Sequence, residues 1–471
     1  MALVSYPARL RTHAAAEPDR PAVTDDTRTV TRAELDRLAN ATARALADLG
    51  VGAGDRVTIA LPNSVEFVAT AMACWCLGAT PQPVSARLPE RELCAITELA
   101  GSRVVVRKPV AVAGFDDGPL PDAVSAAWKA MTSGGSTGRP KLIEAAQAAE
   151  IDPEARPSLL MRLDGTHLMP GPLYHNGPFV WTTTALLAGN HVVLGGRFDA
   201  ERTLALVDRY RPDSMYVVPT MMSRISKLPR DVRDRYDVSS LRVVWHLAAP
   251  CPPWLKEEWI EWLGAEVIWE LYAGTEAQAA TVINGREWLE HRGSVGRVDP
   301  ELFRVVREDG SDAAPGEVGE VYMRASADGT VRTYRYVGAE ARTLPGGWES
   351  LGDMGAIDAD GYLTLSDRQT DMILTGGSNV YPAEVEAAID EHAAVRSSAV
   401  IGLPDDDLGN RIHAIVQTAD GGPVPDADLR AHLAERLVRY KIPRTFEFTA
   451  EPLRDDAGKV RRSALREARI G

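Results

Sequence analysis

The chain has 471 residues, 45% hydrophobic and 25% charged, with a net charge of −14. That length exceeds what one hydrophobic core supports, so two or more domains are expected, and the composition is that of a globular protein. The acidic balance argues against a nucleic-acid or anionic-membrane partner, so a polyanionic ligand would have to be held by local groups rather than by the overall field.

In chain order, Thr31-Arg-Ala-Glu34 is a capping box, with Thr31 as N-cap and Glu34 reaching back. Leu35, Leu38, Thr42, Ala45, Leu46 and Leu49 follow at helical spacing, and Gly50 ends the helix. Residues 55–62 read as a buried strand and residues 65–77 as a second helix, broken by the Gly/Pro-rich run at 78–83. Of the four cysteines, Cys74 and Cys76 fall in that second helix and are expected as free, buried thiols, since no matching Cys/His pair follows. Residues 108–127 are rich in Pro, Gly and Asp and read as a loop.

The alternation returns as a helix over 200–210, strands over 214–218 and 241–247, a helix over 253–263 and a strand over 266–271. From 318 to 365, short alternating segments with glycine turns predict a β-rich subdomain. A smaller unit follows, with helices over 382–391 and 426–437. The expected fold class is α/β: a large N-terminal domain of α/β-layered subdomains plus a β-rich subdomain (1–367), and a small α+β C-terminal domain (368–471). No apolar run reaches about 18 residues and the N-terminus lacks a signal-peptide layout, so a soluble, cytoplasmic protein is expected.

Five segments carry chemistry. Thr132-Ser133-Gly134-Gly135-Ser136-Thr137-Gly138-Arg-Pro-Lys141 combines glycines that let the backbone approach a ligand with hydroxyl donors and positive charge, and suits a polyphosphate. It is not a Walker loop, because Pro140 precedes Lys141 and no Ser or Thr follows. Glu270-Leu271-Tyr272-Ala273-Gly274-Thr275-Glu276 closes a predicted strand, where open α/β sheets bind ligands; its Tyr can stack on a purine, its Thr can bond phosphate and its final carboxylate can hold Mg²⁺. Asp353, in Ser-Leu-Gly-Asp, is an acceptor suited to a vicinal diol, although a turn Asp beside Gly352 is the plainer reading. Lys459 follows a glycine and is a point charge on a long, mobile stem. Pro172-Leu-Tyr-His175-Asn176-Gly-Pro-Phe179 places a lone His beside apolar residues, and no acidic residue occurs from Met169 to Gly196.

In this order, these motifs resemble those of the adenylate-forming enzyme superfamily, in its acyl-CoA synthetase branch, over nearly the whole chain. The resemblance implies an ATP-dependent acid–thiol ligase that makes acyl-AMP, releases pyrophosphate and passes the acyl group to CoA, with Mg²⁺ as cofactor. It implies Tyr272 and the small-residue turn Ala248-Ala249-Pro250 along adenine, and Thr275 on the α-phosphate. Glu276 would bind the metal, Asp353 and Arg368 the ribose or phosphate, and Lys459 the developing charge. His175, Asn176, Phe179, Ala273 and Gly274 would form the acyl pocket, Gly376 and Gly377 the CoA tunnel, and Thr370 the hinge. Two positions depart from the pattern: Ala273 replaces the usual glycine, and Thr370 the usual Asp or Lys.

Members that activate amino acids place an Asp near His175, and a buried ammonium without one is costly, so an acid lacking an amino group is expected. A narrower likeness, over 245–256 and 287–297, is to bile-acid and steroid-type CoA ligases and implies a bulky alicyclic, terpenoid or steroid-like acid. The implied partners are that carboxylic acid, ATP and CoA, with no nucleic acid and no membrane insertion; a homodimer is left open. Two rivals stand beside this reading: loading of a carrier-protein pantetheine, and a non-catalytic nucleotide- or acyl-binding scaffold.

Overall fold

The computed structural model describes residues 3–134, 140–368, 371–375, 378–405, 407–418, 422–455 and 458–470. Ser133, Gly134, Asp367, Arg368 and Asn379 are described as backbone only.

The predicted capping box forms: Thr31 Oγ1 accepts from the Glu34 amide at 3.2 Å, and the Glu34 carboxylate accepts from the Thr31 amide at 2.8 Å. It starts the helix Arg32–Asp48. The helix Val65–Cys76 is buried along almost its whole length, and Cys74 and Cys76 are free thiols within it, as expected. The helices Ala200–Tyr210 and Pro253–Leu263 match their predicted limits. Their local signals are strong: Asp199 caps the first, accepting from the Arg202 amide, and Pro253 opens the second.

These helices flank an eight-stranded sheet. Its order is Ala280–Asn284, Ile268–Ala273, Val243–His246, Ser214–Val217, Thr166–Met169, His191–Leu194, Pro21–Thr24, Thr29–Thr31. The six inner strands are parallel and an antiparallel strand closes each edge. A second, three-stranded parallel sheet is formed by Thr80–Pro83, Arg56–Ile59 and Val104–Val106. One core, through Leu46, Val57, Phe67, Trp75, Phe179, Val193, Met215 and Trp245, joins the two sheets.

The predicted β-rich region is an antiparallel sheet of Ser294–Arg297, Tyr362–Arg368, Trp348–Ile357, Gly319–Met323 and Phe303–Val306, with Arg342–Leu344 paired to Trp348–Ile357. Two corrections arise here. Asp353 is not in a turn but inside the strand Trp348–Ile357; Gly352, at φ +82°, and a bulge after Asp353 bend that strand without ending it. The strand Tyr334–Val337 leaves this sheet and pairs with Pro140–Ala145, which pairs in turn with Ala130–Gly134. Arg335 fastens it by donating to the Glu144 carboxylate, 3.1 Å from Nε.

The small C-terminal domain has its own core, through Ile373, Val385, Val400, Ala414, Val416 and Leu429. It packs around the strands Val395–Asp405, Gly409–Thr418 and Thr445–Thr449. The helix predicted to run to 437 ends at Ala434. An unpredicted helix, Arg462–Ile470, follows Lys459; its Arg462 pairs with Glu386 at 2.9 Å and with Asp371 at 2.8 Å. Lys227 of the large domain reaches into the small one, donating to the carbonyls of Asp390 (3.0 Å) and Val395 (2.6 Å).

Candidate active site

Parallel strands of one sheet share a carboxyl edge, and the loops beyond that edge meet in a cleft of about 2470 Å³. The strand Val243–His246 delivers Ala248-Ala249-Pro250, and Ser214–Val217 delivers Val218 and Thr220. Thr166–Met169 delivers Tyr174, His175 and Asn176; Ile268–Ala273 delivers Gly274, Thr275 and Glu276. Ala248 sits at φ +75°, a conformation uncommon for a residue with a side chain. Gly274 packs closely: a Cβ there would lie 2.4 Å from Leu351 Cδ1 and 2.9 Å from Glu276 Oε2, so both side-chain ends would have to shift.

Beside the strand end that carries Glu276, Lys141 Nζ lies 3.3 Å from the buried Glu276 carboxylate and donates to Tyr336 at 2.8 Å. Tyr336 donates in turn to Glu276 at 2.5 Å, and burial together with that carboxylate holds the Tyr336 hydroxyl far above its ordinary pKa. Thr132 Oγ1, in the middle of the strand Ala130–Gly134, accepts from Gln82 at 2.9 Å. Tyr272 donates to Asp353 at 2.8 Å. Glu270 lines the cleft, and its carboxylate is paired with the buried Lys256, 2.5 Å away. Leu271 and Ala273 line the cleft, as does Lys459.

The turn carrying Lys459 is seated in the cleft. Asp455 Oδ1 accepts from the Lys459 amide at 2.9 Å, and Gly458 (φ +77°) lies so close to the large domain that a Cβ would be 2.7 Å from Thr220 Oγ1. His175 senses both charges of this turn, Asp455 raising and Lys459 lowering its pKa, but burial dominates and pushes it down to about 4. His175 is therefore neutral at pH 7, and its Nε2 is buried with no hydrogen-bond partner among the described residues.

Asn176 begins the helix Asn176–Leu187 beside His175. Phe179, expected on the acyl wall, is buried behind Trp128, with ring centroids 6.0 Å apart at 18°. Its face of the helix turns toward the core around Phe67 and Trp75, so Trp128 forms the wall in its place. Gly135, Ser136, Thr137, Gly138, Thr370, Gly376 and Gly377 lie outside the described residues, and the side chains of Ser133 and Arg368 are not described.

Sequence reasoning missed three cleft residues. Tyr336 gave no signal, because its neighbours come from about 60 and 195 residues away. Thr220 follows a strand without a motif. Lys129 did give one: it is the single charge in the run Ala126-Ala-Trp-Lys-Ala-Met131. It lines the cleft fully buried, and burial pushes its pKa down to about 7.

A single carboxylate, Glu276, suits Mg²⁺, which is usually held by one or two carboxylates with phosphate oxygens and water supplying the rest. Among the described residues there is no group of three or more His, Cys, Asp or Glu that would hold a metal unaided. No described helix is long and apolar enough to cross a membrane.

The chain matches the AMP-binding enzyme family over residues 10–127 and 130–335, and the C-terminal domain of AMP-binding enzymes over residues 384–459. It is 32% identical to feruloyl-CoA synthase of an Amycolatopsis species, over 98% of both chains. It is 30% identical to indoleacetate–CoA ligase of Aromatoleum aromaticum, over 97% of this chain and 96% of that one. Among solved structures, o-succinylbenzoate CoA synthetase from Bacillus subtilis, in complex with its acyl-adenylate, aligns over 100% of both chains with a TM-score of 0.82 and 25% identity. The chain belongs to the AMP-binding enzymes of the adenylate-forming superfamily. It is an AMP-forming acid–thiol ligase that makes an acyl-CoA by way of acyl-AMP, with ATP, Mg²⁺ and CoA.

Proposed function

We propose that this ligase activates a bulky, ring-bearing carboxylic acid without an amino group, and that the ring is aromatic. One observation carries the reading: the cleft beside His175 is walled by Trp128, Trp181 and Tyr216, and the segment 169–196 that supplies much of that wall holds no carboxylate to pair a substrate ammonium. The named acids of the relatives, ferulate and indoleacetate, carry aromatic rings and support this choice over the alicyclic, terpenoid or steroid-like tail that the narrower sequence likeness implies.

In this reading the substrate carboxylate attacks the α-phosphorus and pyrophosphate leaves. The glycine loop with Thr132 and Lys141 holds the β- and γ-phosphates, Thr275 the α-phosphate, and Tyr272 with Ala248-Ala249-Pro250 the adenine. Asp353 and Arg368 take the ribose. Glu276 would hold Mg²⁺, which would neutralise phosphate charge when bound, and Lys459 supplies the positive charge that grows in value as the transition state forms. Lys141 then exchanges its Glu276 partner for phosphate. His175, being neutral, orients the carboxylate by hydrogen bonding without competing for its charge. The small domain (368–471) next turns about Thr370, withdraws Lys459 and brings Gly376 and Gly377 over the site, and the CoA thiol displaces AMP from the acyl carbonyl.

The test is ATP–pyrophosphate exchange, with acyl-CoA detected by mass, across benzoic, hydroxycinnamic, arylacetic, fatty and steroid acids. Exchange and thioester with aryl acids are expected. Turnover confined to steroid acids would replace the aromatic reading with the polycyclic one, and exchange without acyl-CoA would point to a carrier-bound acceptor.

A further inference from the structure

Lys129 is buried on the wall of the cleft beside Asn176, without a counter-ion among the described residues. Its Nζ donates to Asn176 Oδ1 and stands 4.9 Å from the centre of the Trp128 ring. Among the described residues no carboxylate lies within ion-pair distance. The charge that favours its protonated form is Glu276, whose own oxygen is engaged by Lys141 and Tyr336. A lysine ammonium has three donors, and the amide of Asn176 accepts only one.

A wall built only for a hydrocarbon ring would not place an amine there. Burying a cation against apolar groups is costly, and here burial pulls the amine down to about 7. Trp128 adds cation–π attraction, which requires a charge to act on. What the group lacks is an acceptor, and the cleft is the side from which one can arrive.

We propose that Lys129, held by Asn176, recognises a second acceptor oxygen on the acyl tail, remote from the carboxylate that is activated. The inference rests on the ring-bearing acid reading above and narrows it: the substrate carries a carboxylate, hydroxyl or carbonyl oxygen on or beside its ring.

The experiment compares matched aryl acids carrying a ring carboxylate, a ring hydroxyl or neither, by kcat/KM in ATP–pyrophosphate exchange, in the wild-type enzyme and in Lys129→Met. The wild type is expected to favour the oxygen-bearing acids by roughly 10- to 100-fold, the range of a charge-assisted hydrogen bond. In Lys129→Met that ratio is expected to collapse to about 2 or less. A larger preference for the carboxylate than for the hydroxyl assigns an ion pair; equal preferences assign a neutral oxygen acceptor. If both enzymes show the same ratio, Lys129 does not read the tail and the inference fails while the ring-acid reading stands. If the wild type activates none of these acids, the ring-acid reading fails and takes the inference with it. Should Lys129→Met not fold, Asn176→Leu releases the amine from its anchor and must narrow the same ratio.

Discussion

The two halves of the cleft treat their charged groups in opposite ways. In the half proposed above to take the nucleotide, Glu276 is paired with Lys141 and Tyr336, Asp353 with Tyr272, and Glu270 with Lys256. In the half proposed to take the acyl group, His175 Nε2 is buried without a partner among the described residues and Lys129 Nζ donates to the Asn176 amide, both with pKa values lowered by burial. ATP brings the same triphosphate and ribose in every turnover, so on the proposed reading the first half is prearranged by its own side chains, which exchange partners when ATP enters. The second half keeps polar groups under-satisfied, and an unsatisfied buried group rejects a ligand that fails to pair it.

The largest effect expected from this contrast lies where the halves meet. Lys459→Ala should lower adenylation about 1000-fold, the scale of losing a main electrostatic contact to a transition state. Thioester formation from preformed acyl-adenylate should fall less than about tenfold. Single-turnover assays of each half-reaction decide it, and equal losses would mean that Lys459 does not belong to one domain orientation. Next comes Glu276→Gln, expected to cost about 100-fold in exchange and to raise the Mg²⁺ concentration needed for half-maximal rate. If Lys141→Met proved as damaging with no change in Mg²⁺ requirement, Glu276 would be a partner for Lys141 rather than a metal ligand. A smaller effect, about three- to tenfold on adenylation, is expected of Lys227→Met. It removes two hydrogen bonds that tie the small domain to the large one in the orientation that seats Lys459.

The sequence disclosed the parts of this site that depend on local chemistry. The capping box at Thr31 and the helices Ala200–Tyr210 and Pro253–Leu263 could be read from spacing because neighbours a few residues apart determine them, whereas the roles around Tyr272 came from the family resemblance. What stayed hidden depends on long-range pairing. Nothing near Tyr336 announces that its strand joins Pro140–Ala145 rather than the β-rich sheet beside it in sequence. Asp353 looked like a turn because Gly352 precedes it, yet pairing with the neighbouring strands keeps the chain extended. Phe179 carried the right character for a pocket wall, but the helix phase aims it at Phe67. The charge at Lys129 was visible, and its meaning required knowing that the segment leading into the strand Ala130–Gly134 lines the cleft.

The smallest expected effect is a pH dependence that separates the dry acyl half from an ordinary solvated one. His175 titrates near 4 in the folded protein against 6.5 for a free side chain. Above pH 6.5 it is neutral in both folded and unfolded chains, so its contribution to stability is constant there. Between 6.5 and 4 the unfolded chain binds a proton that the folded chain does not, and stability falls as pH falls, by at most roughly 1.4 kcal/mol per pH unit for this group. Below 4 the folded state protonates as well and the decline from His175 ends. In His175→Asn the denaturation midpoint should therefore drop less steeply from pH 6.5 to 4.5 than in the wild type. The acid limb of kcat/KM for adenylation, which reports the free enzyme, should show no step near 6.5 that His175→Asn removes. Such a step would mean that water reaches the imidazole, and the distinction between a prearranged nucleotide half and an under-satisfied acyl half would then fail at His175.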